Sequence, residues 1–156
     1  MTTTLRSAHP NKLDASTMYR ILQLRTDVFV VEQNCPYPEL DGRDLEPDAV
    51  WVWVTESADS KEAGQVTATL RILRDEDGQA RIGRVATAKS ARSGGIASKM
   101  MEYALDEIAR WGKGIDVILD AQSYLEDWYG RFGFVRSGKD FLDDGIPHVP
   151  MTRPSN

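Results

Sequence analysis

The stretch Ile82-Gly83-Arg84-Val85-Ala86-Thr87-Ala88, followed by Lys89-Ser90-Ala91-Arg92-Ser93-Gly94-Gly95 and then Ile96-Ala97-Ser98-Lys99-Met100, decides the fold of this chain. Its first seven residues read as a strand, set off upstream by the polar turn Asp75 to Gln79 (DEDGQ). From Gly94 or Gly95 the apolar period changes to that of a helix. Ile96, Met100, Ala104 and Ile108 fall on one stripe with Met101 and Leu105 beside it, and Gly112 and Gly114 end the run. Ile115 to Ala121 (IDVILDA) is a strand again. Two strands flanking a helix make a candidate parallel βαβ unit, since a parallel pair needs a long crossover.

Working outward, Val66, Ala68, Leu70 and Ile72 alternate with Thr67, Thr69 and Arg71, the period of a half-buried strand. Val50 to Thr55 (VWVWVT) is β-branched and aromatic throughout, so the two form an antiparallel hairpin across the polar turn Ala58 to Gly64. Upstream, Asp14 or Ser16 caps a helix carrying Met18, Ile21, Leu22, Arg25, Val28 and Phe29, expected to reach about Gln33. Downstream, Tyr124 to Phe132 is a short aromatic helix, and extended chain runs from Phe134 through Pro147 to Met151. There is no internal repeat. The expected order is helix, three strands, helix, strand, helix, strand, in one α/β (α+β) domain spanning residues 1–156.

At 156 residues and 41% apolar composition a conventional core suffices, because a chain of this size buries roughly 68–70% of its unfolded surface. Cys35 is the single cysteine and cannot form an internal disulfide, which points to a reducing, cytoplasmic setting. With two histidines, a Cys/His zinc cage is excluded and no metal is expected. A net charge of −5 argues against nucleic acid, whose binders neutralise phosphates with Lys and Arg. No apolar run approaches the ~18 residues of a membrane span, and MTTTLRSAHP has no signal-peptide core.

The segment from Lys89 to Ala97 is a basic, glycine-rich loop opening a helix. Glycines let backbone approach a ligand closely, and the first helical N–H groups lack intrahelical partners, so such a loop suits phosphate oxygens. Read without context, Gly94-Gly95 is also a plain strand-to-helix turn. Neither GxxxxGK[ST] nor GxGxxG is present, which removes the P-loop and the Rossmann dinucleotide site. Arg92-x-x-Gly95-x-Ala97 matches the R/Q-x-x-G-x-G/A pyrophosphate loop of the GNAT N-acetyltransferases. Downstream, Gln122-Ser-Tyr-Leu-Glu-Asp-Trp-Tyr129-Gly-Arg-Phe-Gly133-Phe134 resembles that family's N-x-x-A-x-x-F-Y-x-x-x-G-F segment, with Gln122 for the usual Asn and Leu125 for a small residue. Phe29 to Tyr37, Asp41-Gly42, Ile82 to Val85 and Asp144-Gly145-Ile146-Pro147-His148 resemble its ElaA-type branch, and the likeness runs from about Leu22 to Met151.

That resemblance implies a single-domain GNAT fold: a mixed, mostly antiparallel central sheet flanked by helices, whose parallel unit is the family's fourth strand, third helix and fifth strand. It implies acetyl-CoA as cosubstrate and an amine of a small molecule or peptide as acceptor. Val85, Ala86 and Thr87 would pair their backbone with pantetheine. Arg92, Ser93, Gly94, Gly95, Ile96 and Ala97 would hold the pyrophosphate, and Gln122 would offer an amide. Tyr129 is the implied acid for the departing thiolate, although an aromatic stripe also packs as core. Either Glu32 or His148 could take the amine proton. The acidic run Glu39 to Asp48 is either a solvated loop or the wall of a cationic acceptor site, and it does not have EF-hand spacing. Two other functions stay open: a non-catalytic acyl-CoA-binding module, and a Cys35 nucleophile served by His148. A homodimer is the common symmetric assembly.

Overall fold

The computed structural model describes residues 2–58 and 64–155. Residues 59–63 of the expected Ala58 to Gly64 turn lie outside the described residues. One eight-stranded sheet organises the chain, in the order β1-β2-β3-β4-β5-β8-β6, with β7 paired to β8. The strands are β1 (Thr2–Ala8), β2 (Val50–Ser57), β3 (Gln65–Arg74), β4 (Ala80–Thr87), β5 (Val117–Gln122), β6 (Val135–Arg136), β7 (Phe141–Asp143) and β8 (Ile146–Arg153). The helices are α1 (Ala15–Thr26), α2 (Ile96–Ala109) and the short α3 (Glu126–Gly130).

The VWVWV run explains why the sheet is covered twice. Val50, Val52 and Val54 join Ala68, Leu70 and Ile72 beneath Met100, Met101, Ala104 and Ile108 of α2. Trp51 and Trp53, pointing the other way, pack with Ile21, Leu24 and Val28 from α1 and the turn after it. β3 is therefore buried on both faces, not one as its alternation implies, and Thr67, Thr69 and Arg71 are buried with the rest. Alternation marked the faces correctly for Ala68, Leu70 and Ile72, but a register shift turns Val66 to the side of Trp51 and Trp53, and α1 covers the polar face.

Four further departures concern the edges and ends of elements. Thr2–Ala8 forms an edge strand on β2 that the sequence reading did not anticipate, since it is recruited by an available sheet edge. Asp14 does cap α1, accepting from the Thr17 N–H at 2.6 Å, but after Thr26 the helix widens into a π-helical turn over Asp27–Glu32. That turn is continuous with α1, so the crossover helix α2 is the second in this chain. α2 ends at Ala109, before Gly112 and Gly114. The C-terminal extended chain is three strands, β7 and β8 forming a hairpin across Asp144-Gly145.

The acidic run is solvated only in part: Asp48 is exposed, while Glu39 and Asp44 are buried in a cluster of ion pairs. Arg25 of α1 donates to Glu39 Oε1 at 2.8 Å and to both Asp44 oxygens at 2.6 and 3.1 Å. Arg71 of β3 makes a bidentate pair with Asp41 at 2.8 and 2.7 Å and approaches Asp44 at 3.2 Å. Arg84 of β4 reaches Glu39 and Asp41. Arg25 and Arg71 are 2% and 7% exposed, Glu39 and Asp44 5% each, so these charges survive burial only because they neutralise one another.

Arg25→Met leaves Glu39 with Arg84 alone and Asp44 with Arg71 alone and should cost about 3–5 kcal/mol in urea denaturation; a loss under about 1 kcal/mol would show that water reaches the cluster. The Arg71 hydrogen bonds hold the Asp41 carboxyl well below the usual carboxylate range. A depressed folded-state value contributes stability present above about pH 4 and lost as pH falls further. Thermal melts between about pH 5 and pH 2 should therefore fall less steeply for Asp41→Asn than for the parent.

Candidate active site

β4 and β5 are parallel but pair only at Ala80 with Val117 and Arg81 with Ile118. Both continue well beyond, to Thr87 and Gln122, and diverge as they go. The cause lies on the opposite edge of β4. Thr69 and Arg71 of β3 are two residues apart, while their partners Ala86 and Gly83 are three apart, so β4 carries one extra residue. Arg84 sits in that bulge at φ +52°, a left-handed conformation costing a non-glycine residue about 1–2 kcal/mol. Its guanidinium is fixed by the Glu39 carbonyl at 3.0 Å and by the Glu39 and Asp41 carboxylates.

The divergence opens a cleft of about 710 Å³. Along one arm run Val85, Ala86 and Thr87, whose outer backbone groups have no partner strand. At its end the chain turns through Ser93 at φ +77° and Gly95 at φ +76° into α2. A Cβ on Gly95 would meet nothing within 4 Å, so the backbone there faces open cleft. Gly95 caps α2 without a side chain, and the helix's first closing bond is Lys99 N–H to the Gly95 carbonyl at 3.2 Å. The N–H groups of Ile96, Ala97 and Ser98 are therefore the free donors of this helix. Arg92, Ser93, Ile96, Ala97 and Gln122 line the same cleft; Gly94 does not, its Cβ direction facing the Ala91 carbonyl.

Tyr129, His148 and Glu32 are also brought to this cleft. Tyr129 is 6% exposed, edge-on to Trp128 and Phe134, and its hydroxyl has no hydrogen-bond partner among the described residues. Burial pushes its phenol well above the ordinary value near 10, so it stays protonated throughout the physiological range. α3 is positioned by the turn at Gly133 (φ +91°), where Arg153 packs beneath and donates to the Phe132 carbonyl at 2.8 Å. His148 stands opposite Gln122 in the β5–β8 register and stacks on Phe141. Its Nδ1 lies 2.7 Å from the Ile146 carbonyl, which can only accept, so Nδ1 is the donor there and in the neutral ring Nε2 is the acceptor. Glu32 is bound bidentately by Arg92 at 2.7 and 2.8 Å, and this pairing lowers its carboxyl. A carboxylate so engaged is a poor base.

Cys35 is buried, its thiol donating to the Asp144 carbonyl at 3.5 Å, which ties the end of the π-helical region to the β7–β8 turn. Among the described residues no group of His, Cys, Asp and Glu could hold a metal ion, and no helix is long and apolar enough to cross a membrane. Sequence reasoning missed Arg84, Gln33 and Tyr124. Gly83-Arg84 in mid-strand was the available signal for the bulge. Tyr124, 79% exposed on the cleft, follows Gln122 by two residues with nothing in its spacing to single it out.

A family model of the acetyltransferase (GNAT) domain matches residues 52–154. The UPF0039 protein Rv2851c of Mycobacterium tuberculosis is 46% identical over 159 residues, covering 100% of this chain and 96% of that protein. The crystal structure of an acyl-CoA N-acyltransferase from Pseudomonas aeruginosa superposes with a TM-score of 0.87 at 39% identity, covering 97% of this chain and 99% of that one. Escherichia coli ElaA superposes with a TM-score of 0.88 at 32% identity over the same shares. The splayed parallel pair, the glycine-capped helix and these likenesses have one common reading: the chain belongs to the GNAT acetyltransferase family, in its ElaA-like branch.

Proposed function

We propose that the protein transfers an acetyl group from acetyl-CoA directly to an amine of a small molecule or peptide, within a ternary complex in the cytoplasm. The observation that carries this reading is the divergence of β4 from β5, which leaves a strand edge free beside a helix N-terminus. The amides of pantetheine add to Val85, Ala86 and Thr87 as a further strand would. Arg92 and the N–H groups of Ser93, Gly95, Ile96 and Ala97 receive the pyrophosphate. The description of the Pseudomonas aeruginosa relative as an acyl-CoA N-acyltransferase supports a CoA thioester as donor.

In this mechanism the amine nitrogen attacks the thioester carbonyl carbon and the C–S bond breaks as the tetrahedral intermediate collapses. The amine's proton goes to His148 Nε2, directly or through one water. Tyr129 gives its phenolic proton to the departing thiolate and recovers one from solvent. Burial suits the phenol to this task by keeping it protonated. Cys35, packed against the Asp144 carbonyl, takes no covalent part.

Gly95→Asp should weaken acetyl-CoA binding by roughly 100-fold or more in calorimetry, since it sets a negative charge beside the phosphates at a left-handed position Asp tolerates. Undiminished affinity would remove the loop from the cosubstrate site. Tyr129→Phe keeps the ring, so acetyl-CoA affinity should hold while turnover drops about 10²–10⁴-fold. Because the phenol titrates above its ordinary range, the deficit should be uniform from about pH 6 to pH 9. Parental turnover in that variant would return Tyr129 to the core and leave protonation of the thiolate to water or another residue.

A further inference from the structure

Two consecutive residues at the end of the π-helical turn bridge the two arms of the cleft. Glu32 holds the Arg92 guanidinium bidentately from the β4 side, while the Gln33 side-chain oxygen Oε1 accepts from Gln122 Nε2 at 3.4 Å on the β5 side. Arg92 has its remaining Nε donating to the Thr87 carbonyl at 3.0 Å. The bridged groups, Arg92 and Gln122, are the very side chains assigned above to the cosubstrate. A carboxylate gripped by both terminal nitrogens of a guanidinium presents the charge and fork geometry of a phosphate, and a Gln side-chain amide presents the polar groups of a pantetheine amide.

Resting on the assignment of Arg92 and Gln122 to acyl-CoA, we infer that Glu32 and Gln33 are an internal competitor for the cosubstrate site, and that Glu32 sets cosubstrate affinity by occupying the guanidinium the pyrophosphate needs. The energetics permit the exchange. The pair is about one-third exposed on each side, 38% for Arg92 and 33% for Glu32, and exposed pairs are weak enough to be displaced. Pyrophosphate brings more negative charge to the same fork and adds bonds to the helix N-terminus, so it wins the guanidinium at a penalty set by Glu32. Lys89 also faces Glu32 and keeps its charge compensated once Arg92 has turned away. Release of Glu32 and Gln33 unfastens the π-helical turn, which carries Phe29 in the cleft wall, from both arms at once.

The test is a double-mutant cycle read by calorimetry with acetyl-CoA and, in parallel, with acetyl-pantetheine, which lacks the pyrophosphate. Glu32→Gln should bind acetyl-CoA about two- to fivefold more tightly than the parent, the fold-change of one exposed ion pair. It should leave acetyl-pantetheine affinity unchanged, and the gain should vanish on an Arg92→Ala background. Unchanged or weaker acetyl-CoA binding by Glu32→Gln, with Arg92→Ala still weakening it, would overturn the competitor role and make Glu32 a group that orients Arg92. If Arg92→Ala binds acetyl-CoA as the parent does, the assignment of Arg92 to the pyrophosphate falls, which is a separate outcome.

Discussion

The site depends on one strained residue and the charges that hold it. Arg84 adopts a left-handed conformation in the middle of a strand, where arginine has no intrinsic reason to be. The bulge it creates turns β4 away from β5, and without that divergence the parallel pair would close and leave no free strand edge. Glu39 and Asp41 fix the Arg84 guanidinium, and the same carboxylates, with Asp44, bind Arg25 and Arg71. Three arginines from α1, β3 and β4 thus meet three carboxylates from one loop. The arrangement ties the covering helix, the central strand and the bulged strand to a common point. An apolar plug of equal volume could supply the burial, but it could not fix Arg84 by directed bonds.

The chemistry follows from how differently the cleft treats its polar groups. Tyr129 is largely buried among aromatic rings, without a charged partner among the described residues, which keeps its proton on. His148 is held by a backbone carbonyl that leaves only Nε2 free to accept. Glu32 and Arg92 satisfy each other near the surface, where water screens them and exchange costs little. Under the proposed function, acid, base and anion-binding groups are set apart by their environments within one cleft.

Much of the fold was legible because its signals are local. VWVWVT, the alternating Val66 to Ile72 and the change of period at Gly95 each report geometry within a few residues, and each corresponds to an observed element. What failed was whatever depended on a partner distant in sequence. Thr2–Ala8 is a strand because β2 offers an edge, and Thr67, Thr69 and Arg71 are buried because α1 lies over them. The acidic loop misled for the same reason: its carboxylates looked solvated until Arg25, Arg71 and Arg84 converged on them from separate elements.

The residues proposed for the cosubstrate carry a contiguous sequence pattern, and those at the other end of the cleft carry none, for a physical reason. Phosphate and amide groups are recognised by backbone, which requires glycine or a left-handed turn at fixed spacing and so leaves a pattern in contiguous residues. The other end of the cleft is lined by Tyr37, Arg71, Asp143 and His148, drawn from a loop and three strands. No spacing rule links such residues, since the sheet register and the β7–β8 hairpin bring them together only after folding. Arg71 is already committed to Asp41 and Asp44, whereas Asp143 makes no ion pair among the described residues. Under the proposed function, acceptor choice rests on a few side chains whose neighbours are set by tertiary structure.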